Sequence, residues 1–186
     1  MASVFANGNT IISSWQSEFS DKQGNNNFYF YESQGGQLLD MIYDDAKKTW
    51  HSSKGTHPLF GAQFASPGAS SDTNLTFLSP VRGTVRLQGK AMRNQAYIGG
   101  AVFGDGVNLS ILKNNRTIWN GSIASDSASA EYDLTLSVKV GDKIHFRINR
   151  TNIHFIHIPT CFAASHMISP VFQLCRHLPC SPSWIV

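Results

Sequence analysis

Short stretches in which apolar and polar side chains alternate residue by residue, each closed by a turn, set the tightest limit on what this chain can fold into. Val107-Asn108-Leu109-Ser110-Ile111 alternates cleanly, and Lys113-Asn114-Asn115-Arg116 is a turn that returns in Thr117-Ile118-Trp119. Tyr132, Leu134, Leu136 and Val138 fall on one face, and Ile144-His145-Phe146-Arg147-Ile148 alternates again after the turn Val140-Gly141-Asp142-Lys143. A period of two is the signature of a strand with one buried face. It places Val85, Leu109, Ile111, Leu134, Leu136, Ile144 and Phe146 in the core, because a one-residue slip would expose the whole set.

The same grammar extends upstream. Asn25–Asn27 is a turn, Phe28–Glu32 an aromatic strand, and Gly35-Gly36 the next turn. Leu38, Leu39, Ile42, Tyr43 and Ala46 also fit a helical face over Gln37–Lys48. The flanking glycine pair and the aromatics favour a strand to Tyr43, a turn at Asp44–Lys47 and a strand through Trp50 instead. Ser66-Pro67-Gly68 opens a polar loop, Asn74–Leu78 is a strand, and Pro80 opens the segment Val81–Gly89, in which Val81, Val85 and Leu87 can share a face. Many short strands with little helix predict an all-β antiparallel β-sandwich of jelly-roll-like form.

Composition divides the chain near residue 150. Residues 151–186 carry one charged side chain, Arg176, together with all three cysteines, four of seven histidines and four of seven prolines. The expected organisation is a sandwich over 1–150 and an irregular C-terminal tail over 151–186. In the tail Asn152–Ile158 offers a makeshift closing strand, and the chain beyond it has no consistent period. Cys161, Cys175 and Cys180 lack the close Cys-x-x-Cys pair of a zinc knuckle, so no metal or other cofactor is expected.

Several functions are disfavoured by what the residues lack. No nucleophile elbow, phosphate loop or dinucleotide fingerprint is present. Asp44-Asp45 sit in a predicted turn, where carboxylates cap local backbone N–H groups. His51 and His57 have no carboxylate at suggestive spacing. A net charge of +3 is spread out. Its densest group, Arg82, Arg86, Lys90 and Arg93, lies along one strand and the loop after it as a solvated face, which argues against nucleic acid as partner. MASVFANGNT shows no secretory signal. The uncharged run Thr151–Cys175 is broken by His154, His157, Pro159, His166 and Pro170, so no membrane span is expected.

Aromatics are the remaining signal. In Phe28-Tyr29-Phe30-Tyr31 one pair must face each side of the strand. A solvent-facing aromatic ring can stack on the C–H face of a sugar. Tyr29, Tyr31, Tyr43, Trp50 and Trp119 are the candidate carbohydrate-binding residues, and no catalytic residue is assigned.

The ordered pieces Gly24-Asn25-Asn26-Asn27-Phe28-Tyr29-Phe30-Tyr31, Asp40-Met41-Ile42-Tyr43 with Trp50, Ser66-Pro67-Gly68, Pro80-Val81-Arg82-Gly83-Thr84-Val85, Gly104-Asp105-Gly106-Val107, Ile111 to Trp119 and Val140 to Phe146 carry a resemblance. Over about residues 15–150 the chain resembles the carbohydrate-binding-module-like β-sandwich accessory domains of secreted bacterial polysaccharide-degrading enzymes. The resemblance implies a non-catalytic module, a polysaccharide or oligosaccharide as partner, a catalytic domain not present in this chain and an extracellular setting. Such domains close with a polar strand containing Asp and Trp, which Thr151 onward does not match. A structural or protein–protein interaction sandwich without sugar binding is the competing expectation.

Overall fold

A computed structural model describes residues 12–92, 106–124, 129–151 and 158–167. Among these, two antiparallel sheets pack face to face. The strands are β1 (Ile12–Ser14), β2 (Phe28–Gln34), β3 (Gln37–Asp40), β4 (Ile42–Asp44), β5 (Thr49–His51), β6 (Leu59–Gly61) and β7 (Phe64–Ser66). They continue with β8 (Asp72–Leu78), β9 (Gly83–Met92), β10 (Gly106–Lys113), β11 (Arg116–Ala124), β12 (Ser129–Val138), β13 (Lys143–Arg150) and β14 (Ile158–Met167). One short helix, α1 (Trp15–Glu18), follows β1 and is capped by the Ser14 side chain, which accepts from the Ser17 N–H. The first sheet runs β12-β9-β14-β7-β6-β5-β4, with β1 on β14; the second runs β11-β10-β13-β8-β2-β3. This is the all-β sandwich expected from the alternation. No helix among the described residues is long and apolar enough to cross a membrane.

The ambiguous stretch from Gln37 to Trp50 resolves as strands. Gly35 and Gly36 both take positive φ, at 58° and 84°, which is the geometry a two-residue hairpin between Gln34 and Gln37 requires. At the next turn Asp44 accepts from the Lys47 N–H at 3.0 Å, and Asp45 accepts from the Lys48 ammonium at 2.6 Å. The chain returns with Tyr43 opposite Trp50.

The core lies between the sheets. Leu109, Ile111, Ile144 and Phe146 are buried as expected. Val85, Leu134 and Leu136 are only partly buried and pack against the margin of the core. Their strands, β9 and β12, form one end of the first sheet. Phe30 stacks on Trp50 at 5.2 Å and meets Phe60 edge-on at 5.5 Å, while Trp15 meets Phe60 at 5.3 Å. On the outer side of the first sheet Arg86 pairs with Asp133 and Lys90 with Glu131 across β9 and β12, so these cations form a solvated, ion-paired face.

Of the C-terminal tail the structure describes Thr151 and residues 158–167. Residues 152–157 of the makeshift strand lie outside the described residues. The paired segment begins at Ile158 and runs to Met167, where the sequence pattern predicts only irregular chain. Its backbone is bonded to β7 near Ile158 and Pro159, to β9 from Thr160 onward, and to β1 through Ala163–Ser165. A low-charge segment suits a central position, because a strand between two neighbours needs no charged edge.

Candidate functional site

In β2 the four consecutive aromatics divide by parity. Phe28 and Phe30 point into the core, and Tyr29 and Tyr31 stand on the outer face of the second sheet, partly exposed. The two tyrosine rings are parallel, 6.1 Å apart with 4° between planes. The ring of Tyr29 also lies against Gly24, where a Cβ would sit 3.0 Å from its hydroxyl end. Burial, then the charge of Asp40, pushes the Tyr31 phenol above its ordinary pKa, so it remains a hydroxyl donor at neutral pH.

Register carries this face across the sheet. Tyr31 is opposite Asp40 on one side and Asn74 on the other; Asn74 is opposite Arg147, Arg147 opposite Ser110, and Ser110 opposite Asn120. The next row runs from Tyr29 to Thr76, His145 and Leu112. Asn74, Leu112, His145 and Arg147 line a groove of about 310 Å³. Gly36 and Leu38 from the β2–β3 hairpin, and Asn114 and Asn115 from the β10–β11 turn, complete its lining. The tyrosines stand on the strand beside this groove.

The groove carries buried polar groups with unspent capacity. Asn74 is fully buried, and its Oδ1 accepts from Thr76 Oγ1 at 3.3 Å. With its proton committed there, the Thr76 hydroxyl accepts from His145 Nδ1 at 2.9 Å, which makes Nε2 the acceptor end of a neutral imidazole. Burial above all, aided by the charges of Lys143 and Arg147, lowers the His145 pKa to about 4. Asn74 Nδ2 and Arg147 Nε are both buried donors without a hydrogen bond. The nearest carboxylate to Arg147 Nε, Asp72 Oδ2, stands 4.0 Å away, too far for one. Burial also raises the Asp72 pKa, against the lowering effect of Arg147. Two buried donors without a hydrogen bond thus lie on neighbouring strands beside one groove.

The five aromatic candidates are not brought together. Tyr29 and Tyr31 share the outer face. Trp50 is corrected to the core: it is 4% exposed, stacks on Phe30, and its indole N–H donates to the Ser20 carbonyl at 2.8 Å. Tyr43 packs against Trp50 and Phe19 on the inner side. Trp119 packs on Tyr132 at 5.5 Å and covers Gly121, at the far end of the sandwich. A large aromatic beside β-branched and aromatic neighbours is drawn to the core as readily as to a ligand face, and composition does not separate the two. Reasoning from aromatics alone misses Asn74, His145 and Arg147. Among the described residues no three His, Cys, Asp or Glu side chains gather as a metal site.

No protein-family model matches the chain, and no curated protein matches it. Most of the solved structures that resemble it are carbohydrate-binding modules. The tandem family 51 modules of a family 98 glycoside hydrolase from Streptococcus pneumoniae are 10% identical, with a TM-score of 0.45. That match covers 78% of this chain and 50% of the other, so the chain spans half the length of the tandem structure. A family 35 carbohydrate-binding module from Clostridium thermocellum is 8% identical over 83% of this chain and 97% of its own, with a TM-score of 0.37. Pika GITRL is 21% identical over 52% of this chain and 79% of its own, with a TM-score of 0.33.

Proposed function

We propose that this protein is a non-catalytic carbohydrate-binding module that holds a polysaccharide or oligosaccharide on the outer face of the six-stranded sheet. The observation that supports this most is the parallel pair Tyr29 and Tyr31, partly exposed on the outer face beside a groove lined by Asn74, His145 and Arg147. A sugar ring presents an apolar C–H face and a rim of hydroxyls. Parallel tyrosines serve the first, and fixed amide, imidazole and guanidinium groups serve the second. Buried polar groups held by a sheet discriminate strongly, because a wrong ligand leaves them unpaired.

Affinity electrophoresis through gels containing soluble polysaccharides tests the proposal. The native protein is expected to be retarded by at least one of them. Tyr31→Ala is expected to lose most of that retardation while keeping the native melting transition. Trp50→Ala is expected to lose the transition itself, since it empties a core site. Free migration of the native protein through every gel would favour the structural or protein-interaction sandwich instead.

A further inference from the structure

We propose that a second hollow, at the end of the β9–β12 ladder, binds a phosphate group, and that Arg82 and Lys139 are the residues that hold it. The inference goes beyond the carbohydrate reading and does not depend on it.

On the outer face of this ladder cations are matched with acids. Arg86 pairs with Asp133 and Lys90 with Glu131 across the two strands. The matching stops near the end. Thr84 lies opposite Ser137, which sets two exposed hydroxyls side by side. The ladder closes at Gly83 opposite Val138, and the residues that come next are Arg82 and Lys139, both exposed. Among the described residues neither has an acid within ion-pair distance. Like charges set opposite each other across two strands repel and cost stability. An acid at either position would continue the pattern of the rows above, and the chain holds two cations there instead.

A hollow of about 300 Å³ is lined by Arg82, Thr84, Ser137 and Lys139, with Lys113 added from the other sheet. Among the described residues no carboxylate lines it. Lys113 donates to the Ser137 carbonyl at 2.7 Å and to the Asp142 carboxylate at 2.9 Å, so its charge is balanced. The charges of Arg82 and Lys139 are left over, and a phosphate group carries about −1.5 to −2 near neutral pH. Its oxygens accept from a guanidinium fork, from an ammonium and from hydroxyls, the donor types that Arg82, Lys139, Thr84 and Ser137 supply. Arg86 and Lys90 keep their own acids, so the face offers one site for an anion and not the continuous basic stripe that tracks a nucleic-acid backbone.

The test follows the backbone amide shifts of the full chain by NMR as inorganic phosphate is added near neutral pH. Sodium chloride at the same ionic strength is the control, which separates a site from general screening. Saturable shifts at residues 82–84 and 137–139 are expected with phosphate and not with chloride. Arg82→Gln and Lys139→Gln should each weaken the binding about threefold or more, and Arg82→Glu should abolish it. Lys90→Gln removes a cation already paired with Glu131 and should leave the affinity unchanged. Glucose 6-phosphate, titrated in the same way, distinguishes the sources: tighter binding than inorganic phosphate would identify a phosphorylated sugar as the ligand, and equal binding free phosphate. Shifts that chloride reproduces, or an affinity unchanged in both Arg82→Glu and Lys139→Gln, would overturn the assignment. The polysaccharide gels report on the outer face of the other sheet, so either reading can fail while the other holds.

Discussion

His145 gives the most direct check on the site, because its neutrality follows from where β13 places it. The ring is 6% exposed and its pKa is lowered to about 4, first by burial and then by Lys143 and Arg147. The unfolded chain takes up the imidazole proton near pH 6.5, so it binds more protons than the folded protein between there and pH 4. Stability is therefore complete above about pH 6.5 and is lost as pH falls toward 4. At pH 4.5 the undamped loss is about 2.5 kcal/mol. The ring edge borders an open groove, and solvent screening there brings the expected loss to roughly 1–2 kcal/mol. Asp72, with its raised pKa, acts in the opposite sense at the acid end, and Asp142, held down to about 2 by the Lys139 N–H, Asn114 and Lys113, contributes only below this window. His145→Gln retains a hydrogen-bonding side chain and removes the titration. Urea unfolding from pH 7.5 to 4.5 should show the native protein losing about 1–2 kcal/mol more than this variant. Parallel slopes, or an imidazole titrating near 6.5 by NMR, would mean that the ring is solvated and the groove is not built as described.

Three further outcomes follow from packing. Phe146→Ala should cost about 3–5 kcal/mol, and Leu136→Ala, at a partly exposed position, about 1–2 kcal/mol; equal losses in denaturant titrations would contradict the assigned burial. Gly89→Ala would press a methyl group into the buried ring of Tyr132 and should cost about 1–3 kcal/mol, relieved by Tyr132→Leu in the same chain; additive effects of the two would show that the ring does not lie there. A chain ending at residue 157 loses β14 from between β9 and β7 and should lose cooperative melting, whereas an unchanged melting temperature would mean that the pairing contributes nothing.

The fold was largely legible because its strands carry a local signal. β10, β12 and β13 alternate on their own, and each is bounded by turn residues that act through backbone geometry, such as Asn114 at φ 53° and Gly141 at φ 84°. The stretch from Gln37 to Trp50 could be read because the Gly35-Gly36 pair demands a hairpin. β14 was not legible. Its place in the sheet depends on β7 and β9, and a central strand lacks the polar alternation that marks a strand with one wet face. Burial at Leu134 and Leu136 was overstated for a related reason: alternation tells which way a side chain points, not how much of the facing sheet covers it.

The site was legible only in part, and the missing part is a matter of register. Parity alone separates Tyr29 and Tyr31 from Phe28 and Phe30. Parity also turns Asn74 and Thr76 outward once Leu75 and Phe77 are inward, and turns His145 and Arg147 outward once Ile144, Phe146 and Ile148 are inward. What single-strand reasoning lacks is that β8 lies between β2 and β13, which sets Tyr31, Asn74 and Arg147 in one row although β8 and β13 are far apart in sequence. Nothing local to Asn74 says that its neighbours will be an aromatic on one side and a cation on the other. The unusual feature was nevertheless visible: β13, a strand of ordinary apolar alternation, carries an imidazole and a guanidinium, His145 and Arg147, at successive outward positions after Lys143. Outward positions on a solvated sheet tolerate almost any polar residue, so such groups cost nothing there. They become costly only when the face is covered, as it is for Asn74 and His145, and such an arrangement beside the outward, partly exposed Tyr29 and Tyr31 is the physical reason to look for a ligand on this side of the sandwich.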